Sequence, residues 1–367
     1  MVREFFRLLF RSRASQLAHV TAPPVSRHRR ARCAILASLC VFVVVSLTFS
    51  VVIDRVKPEW RDPEYGRRLV AARQWQRDQP ERPLVLVFGS SRAQMGISPR
   101  EMDLCEASSP VVYNFGYRAA TPLVSTMLLS RALDDGLRPR AIVIAVSLNE
   151  LHSEGEAEKR FASFGCRLSS RDMQRISPYV SVSALRQSGA TSRWNPWLTY
   201  GKRTACEVFG FRDANTDCDS WRKMDANGYV PFPMERMSAN DREFLWNQAR
   251  EQAVQSNDGV FALPARQALH DVVHRCRASG IAVAIVWAPE SPTYRELYSA
   301  TGLHAMESHT NWFRTELGVP VFAAANHLSE TDFADGYHLT PTGAAKYSQW
   351  LTETHLRAWL AKVLKSE

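Results

Sequence analysis

Leu84-Val-Leu-Val-Phe-Gly89-Ser90-Ser91-Arg92 is the stretch on which the reading of this chain turns. Five apolar residues, entered after Pro83, run without a break into a glycine and two serines. A run that short and continuous reads as a strand buried on both faces, as in a parallel sheet. Open α/β sheets carry their chemistry at the carboxyl ends of such strands. Gly89 lets the chain turn sharply there, and a serine just after the turn projects its hydroxyl into the crevice. A serine at that place also suits a plain helix N-cap, so the stretch alone leaves both roles open.

Working outward, the pattern repeats. Pro110-Val-Val-Tyr113 is a second apolar run, ending in Asn114-Phe-Gly116-Tyr-Arg-Ala119. A helix is predicted over about 122–135, closed by Asp-Asp-Gly. Ala141-Ile-Val-Ile-Ala-Val146 follows as a third strand, ending in Ser147-Leu-Asn149-Glu150. Strand, helix and strand at these spacings are the βαβ rhythm of a parallel sheet. Residues 151–235 break the rhythm with Ser, Arg, Trp, Pro and Gly. A structureless loop of that length does not belong in a compact domain, so an inserted lid subdomain is expected over about 151–260. Its Trp194 and Trp197 suit either stacking on sugar rings or a small core of the insertion's own. The rhythm resumes with a helix (263–278), a strand (281–287), a helix (293–316), a short strand (319–322) and a closing helix to about 364.

The charge is lopsided. The 46 Lys and Arg against 37 Asp and Glu give a net of +9. Eight arginines against Glu4 place +7 of that in residues 1–32, leaving about +2 for the rest. The basicity describes a tail, which argues against nucleic acid as a partner. Residues 33–53 are 21 uncharged, mainly apolar residues, close to the ~20 a helix needs to cross a bilayer. Arg27, Arg29, Arg30 and Arg32 precede them and Asp54 follows. The positive-inside rule then places residues 1–32 in the cytoplasm and everything after about residue 54 outside. The apolar run and the basic region before it are too long for a cleaved signal peptide, and no small-x-small site follows. A single-pass anchor in the inner (cytoplasmic) membrane is expected, with 54–82 as a stalk or first helix and 83–367 as the outer domain.

Of seven cysteines, Cys33 and Cys40 fall in the anchor; Cys105, Cys166, Cys206, Cys218 and Cys276 would face an oxidising compartment. Five allow at most two disulfides. Cys206 and Cys218 are the nearest pair, and the connectivity stays open. No CxxC pair, HExxH or clustered His/Cys spacing marks a metal site, and no cofactor is expected.

The last motif is Asp335-Gly-Tyr-His338-Leu-Thr340-Pro-Thr342, just ahead of the closing helix. Aspartate and histidine three apart on one turn can share a hydrogen bond that fixes the imidazole tautomer. If the sheet brings that turn beside Ser91, His338 can take the serine proton. By itself, DxxH before a helix equally suits a capping role.

Taken together and in order, Gly-Ser-Ser after the first strand, Asn-x-Gly after the second, Ser-Leu-Asn-Glu after the third and Asp-Gly-Tyr-His before the last helix form a pattern. It resembles that of the SGNH (GDSL-like) hydrolase superfamily, over about residues 83–362. The resemblance implies a flavodoxin-like three-layer α/β/α sandwich with a parallel sheet, behind one transmembrane helix. It makes Ser91 the nucleophile, His338 the general base and Asp335 its orienting partner. The oxyanion donors it implies are the Ser91 N–H, a backbone N–H at Ala119 or Gly116, and the Asn149 side chain; the family has glycine at the second position and before the asparagine. Arg92 suits an anionic group or an internal salt bridge.

Gly-Ser-Ser-Arg behind an N-terminal anchor looks like the branch containing alginate acetylation proteins and the D-alanine transfer protein of teichoic-acid systems. What that resemblance implies is serine acyl transfer to, or removal from, a cell-envelope glycan, beside a multi-spanning membrane O-acyltransferase. Two other readings remain: a catalytically inactive anchored glycan-binding or scaffold subunit, and a membrane-anchored lipase.

Overall fold

The computed structural model describes residues 27–102, 104, 109–152, 164–181 and 220–365. The chain divides into two compact units, 1–48 and 49–367.

In the first unit lies most of helix α1 (Arg27–Val51). Its span His28–Val51 has a mean hydropathy of 2.5 and is almost wholly exposed along its apolar side chains. It is long and apolar enough to cross a membrane. The helix starts six residues before the predicted run, because arginine is a good helix former and nothing there stops the turn.

The second unit is built on five parallel strands: β1 (Leu84–Phe88), β2 (Val111–Asn114), β3 (Ala141–Val146), β4 (Ala282–Trp287) and β5 (Val321–Phe322). Their order across the sheet is β2-β1-β3-β4-β5. The chain leaves β1 for β2 on one side and returns to β3 on the other. The carboxyl ends of β1 and β3 therefore flank the point where the strand order reverses, where open α/β sheets leave a crevice.

Among the described residues, a single helical turn over Pro58–Arg61 is followed by helices α2 (Pro63–Asp78), α3 (Ser91–Gly96), α4 (Pro122–Asp134), α5 (Leu148–His152), α6 (Ser170–Ile176), α7 (Ala239–Gln255), α8 (Leu263–Ala278), α9 (Pro292–Arg295), α10 (Ala300–Thr315), α11 (Pro341–Leu351) and α12 (Arg357–Leu364). Successive strand residues point to opposite faces. Leu84, Leu86 and Phe88 of β1 join a core with α2, α4, α8 and Phe313 of α10. Val85 and Val87 join a second core with Ala344, Tyr347 and Leu351 of α11 and Leu360 of α12. Both faces of the sheet are covered, which is why its strands read as continuous apolar runs. Helix α8 buries Ala265, Ala268, Leu269, Val272, Val273 and Cys276, the stripe of a helix packed on one side.

The predicted helix over 293–316 is instead two. Ser299 breaks it and caps α10, its hydroxyl accepting from the Gly302 N–H at 3.2 Å. The closing helix is interrupted by a π turn over Thr352–Leu356. Within the expected lid, α6 packs against α4 through the Arg131–Asp172 pair, and the 227–230 segment lies beside β2. Arg68 donates to the carbonyls of Asn114 (2.7 Å) and Gly228 (2.8 Å), pinning the 227–230 segment beside β2. Helix α7 begins at a reciprocal cap between Ser238 and Asp241. Trp194, Trp197, Cys105, Cys206 and Cys218 lie outside the described residues. Cys276 is a free, buried thiol whose pKa burial pushes up to about 12.

Candidate active site

Beyond Phe88, Gly89 turns the chain at φ +153°, where an added Cβ would meet the Ala93 side chain at 2.8 Å and Ala145 at 3.0 Å. Only glycine fits there. The two serines that follow divide the roles that the sequence left open. Ser90 is the N-cap of α3, its Oγ accepting from the Arg92 N–H at 3.1 Å. That leaves the Ser91 hydroxyl, half-buried at the first position of the helix, free for another partner.

That partner is His338. Its Nε2 lies 2.8 Å from Ser91 Oγ, and its Nδ1 lies 2.6 Å from Asp335 Oδ2. The capping role before α11 falls to Thr340, whose hydroxyl accepts from the Gly343 N–H at 3.0 Å. Asp335 is thereby released to serve the histidine. Its Oδ1 accepts from the backbone N–H of His338 (2.8 Å) and of Tyr337 (3.3 Å), so the carboxylate is fixed at both oxygens. The Asp335 side chain is fully buried and His338 is 12% exposed. Burial alone would raise the Asp335 pKa; the His338 charge and these hydrogen bonds outweigh it and hold the carboxyl below its ordinary range. The structure thus brings together residues 91, 335 and 338, separated by 247 positions at the widest.

The expected oxyanion donors divide less evenly. The N–H of Ser91 is a first-turn donor that α3 itself does not use. Gly116 is committed elsewhere: its N–H donates to Asn114 Oδ1 at 2.7 Å. Its lack of a Cβ is a packing requirement, since one would sit 2.5 Å from the Gln94 nitrogen. The Phe115 and Tyr117 N–H groups donate to the carbonyls of Val87 and Gly89, and the Ala120 N–H donates back to Tyr117, so Ala119 lies in the turn just beyond β2. Ala119 holds φ +59°, a left-handed conformation that favours glycine.

Asn149 stands at the end of β3, at the start of α5. Its Oδ1 accepts from Ser147 Oγ (2.9 Å) and Arg92 Nη2 (3.4 Å). A guanidinium only donates, so the amide oxygen faces Arg92 and the NH2 faces away. There Nδ2 donates to Gln252 Oε1 of α7 at 2.9 Å.

Arg92 makes the internal salt bridge. Nη1 meets Glu290 Oε1 at 2.6 Å, both side chains almost fully buried. Its guanidinium lies 4.3 Å from the Tyr337 ring centroid and 5.6 Å from that of Tyr294. Burial would lower its pKa, but the Tyr294 hydroxyl, Glu290 and Glu150 outweigh that and raise it well above the ordinary value. The group is a permanent buried cation, tying α3 to β4's end and to the histidine turn.

Several contributors were not singled out from the sequence. Glu290 lies in the Pro-Glu-Ser-Pro turn that follows β4; the signal for it was that a buried arginine needs a carboxylate. The buried Phe232 ring lies 5.4 Å from the His338 ring, centroid to centroid. On α7, Trp246 packs on the histidine turn so closely that a Cβ at Gly336 would meet its ring at 2.4 Å. Gln252 gives no sequence signal. Among the described residues, no group of three or more His, Cys, Asp or Glu is placed to hold a metal.

No protein-family model matches the chain, and no curated protein resembles it significantly.

Proposed function

We propose that this chain is a membrane-anchored serine acyl-transfer enzyme of SGNH type. It would act outside the cytoplasm on an acyl ester of a cell-envelope polysaccharide. The observation that carries the reading is the continuous Ser91–His338–Asp335 relay, 2.8 and 2.6 Å long, at the carboxyl end of β1. The strand order β2-β1-β3-β4-β5 is that of flavodoxin-like sheets, with Ser91 at their switch point.

A serine hydroxyl is a weak nucleophile until a base takes its proton. Here Ser91 Oγ attacks the acyl carbon while its proton passes to His338 Nε2. Asp335 stabilises the imidazolium and keeps the ring in the tautomer that accepts at Nε2. The Ser91 N–H, the Ala119 N–H and Asn149 Nδ2 are the donors for the oxyanion, one such donor being worth about 10²–10³ in rate. The proton returns from His338 to the leaving alkoxide, and an acyl-Ser91 remains. Water or a sugar hydroxyl, deprotonated by His338, then takes the acyl group; hydrolysis and transfer share every earlier step.

The glycan and the outward orientation rest on the resemblance, on the candidate membrane helix, and on the arginines that precede it. A multi-spanning O-acyltransferase supplying the acyl group fits the same reading.

The test is a fluorophosphonate probe applied to the full chain in detergent micelles, read by intact mass. A one-to-one adduct is expected in wild type and none in Ser91→Ala. A folded wild type that forms no adduct would overturn the reading in favour of a non-catalytic scaffold. Acetylated glycan and labelled sugar acceptors, followed by mass spectrometry, then separate transfer from hydrolysis, and both from lipase activity on phospholipid.

A further inference from the structure

Helix α7 is laid across the candidate site by its inner face. Trp246, Ala249, Gln252, Ala253 and Ser256 recur at the three- and four-residue spacing of one helix side. Ala249 and Ala253 are wholly buried, and their small side chains allow a close approach. Trp246 rests on Gly336, between Asp335 and Tyr337. Gln252 reaches Asn149. The opposite side of the helix is solvent-exposed, with Phe244 at 67% and Val254 at 56%.

The contact at Asn149 has a specific polarity. Ser147 and Arg92 hold the amide oxygen, so the NH2 group is the end presented towards α7. What meets it is a neutral amide carbonyl oxygen at 2.9 Å. That is the atom type and the separation expected of an acyl oxygen in an oxyanion hole.

We propose that Gln252 Oε1 is a built-in stand-in for the substrate's acyl oxygen, holding the Asn149 donor closed until the acyl group displaces it. This rests on the acyl-transfer reading above. Arg92 and Ser147 are then positioning residues that fix which way the Asn149 amide points, and Gln252 is the residue the substrate must compete with. Acylation carries the cost of breaking one neutral hydrogen bond whose partner side chain is partly solvent-exposed. The Gln252 amide, once displaced, is satisfied by water.

The experiment is a double-mutant cycle on the full chain in micelles, measuring the second-order rate of fluorophosphonate labelling by intact mass. Gln252→Met keeps the side chain's length and helix propensity and removes the acceptor. It is expected to label about two- to tenfold faster than wild type, the range of one neutral hydrogen bond. Asn149→Ala should label more slowly, and adding Gln252→Met to it should bring no gain, because the donor being uncapped is gone. An unchanged rate in Gln252→Met would overturn the proposal; it would mean that the second N–H of Asn149 serves the oxyanion while Gln252 stays in place. An equal gain with and without Asn149 would also overturn it, making Gln252 a packing residue of the helix. Absence of labelling in wild type is a different result, since it removes the acyl-transfer reading itself and this inference with it.

Discussion

Arg92 and Glu290, 198 positions apart, meet at 2.6 Å with 3% and 5% of their side chains exposed, one residue from the candidate nucleophile. Tyr298 also donates to the same carboxylate oxygen at 2.8 Å. Removing one member of such a pair strands the other charge in a low-dielectric setting. Glu290→Ala is expected to destabilise the second unit by about 3–5 kcal/mol, and Glu290→Gln by less, because the amide still accepts from Arg92. Thermal melts followed by tryptophan fluorescence measure both. A melt unchanged in Glu290→Ala contradicts the assignment.

Asp335 acts through His338. Asp335→Asn keeps the shape and reverses the hydrogen-bond preference at Nδ1, which favours the wrong tautomer. A loss of about 10⁴ in acylation rate is expected. Probe labelling against time at pH 7 tests this, and a loss below about tenfold would assign the aspartate a structural role only.

The depressed pKa of Asp335, and that of Asp172 against Arg131, set an acid limit. Both carboxyls are pushed up by burial and pulled down further by their cationic partners and hydrogen bonds. A lowered native pKa contributes stability that is present above the unfolded value, near 3.9, and lost as pH falls below it. Melting temperature should fall steeply below about pH 4 in wild type. The slope should flatten in Asp172→Asn.

His309 gives the opposite ionisation at a higher pH. Burial first, then the positive charges of Arg266 and His152, lower its pKa from 6.5 to about 4. Its Nε2 has no partner among the described residues. Between these two values the unfolded chain takes up a proton that the folded one refuses, so stability declines as pH drops from 6.5 towards 4. His309→Phe should remove that part of the decline, seen by comparing melts at pH 7 and pH 5; parallel wild-type and variant curves would contradict it.

Two positions near the second strand test what glycine does there. Gly116→Ala forces a Cβ against the Gln94 backbone and should cost about 1–3 kcal/mol. Ala119→Gly relieves a positive φ and should be neutral or stabilising by up to about 1 kcal/mol. Melts that rank the two the other way would mean the turn is held by different contacts.

Much of the fold was legible because buried parallel strands leave unbroken apolar runs. β1 and β3 begin and end where those runs do, and β2 and β4 are each displaced by one residue or shortened by one. Ser91, Asp335 and His338 could be singled out because each sits where a strand or loop meets a helix, and the structure brings the three together. The division of labour at those junctions was not legible. A serine that caps and a serine that meets a histidine look alike in sequence, and only Ser90 and Thr340 taking the caps frees Ser91 and Asp335. The break at Ser299 was missed because its helix-forming neighbours on both sides keep the apolar period.

The sequence by itself determined the strand runs, the apolar N-terminal span and the serine, aspartate and histidine at the element junctions, because local periodicity and turn chemistry write those into short windows. Tertiary structure decided everything that depends on long-range approach. Glu290 reaches Arg92 only because β4 lies one strand beyond β3, and the Gly116 N–H is occupied only because the Asn114 side chain folds back onto it. Gln252 reaches Asn149 only because α7 crosses the end of β3. Such contacts join residues that share no window of sequence, and burial and hydrogen-bond geometry, absent from a linear chain, select among them.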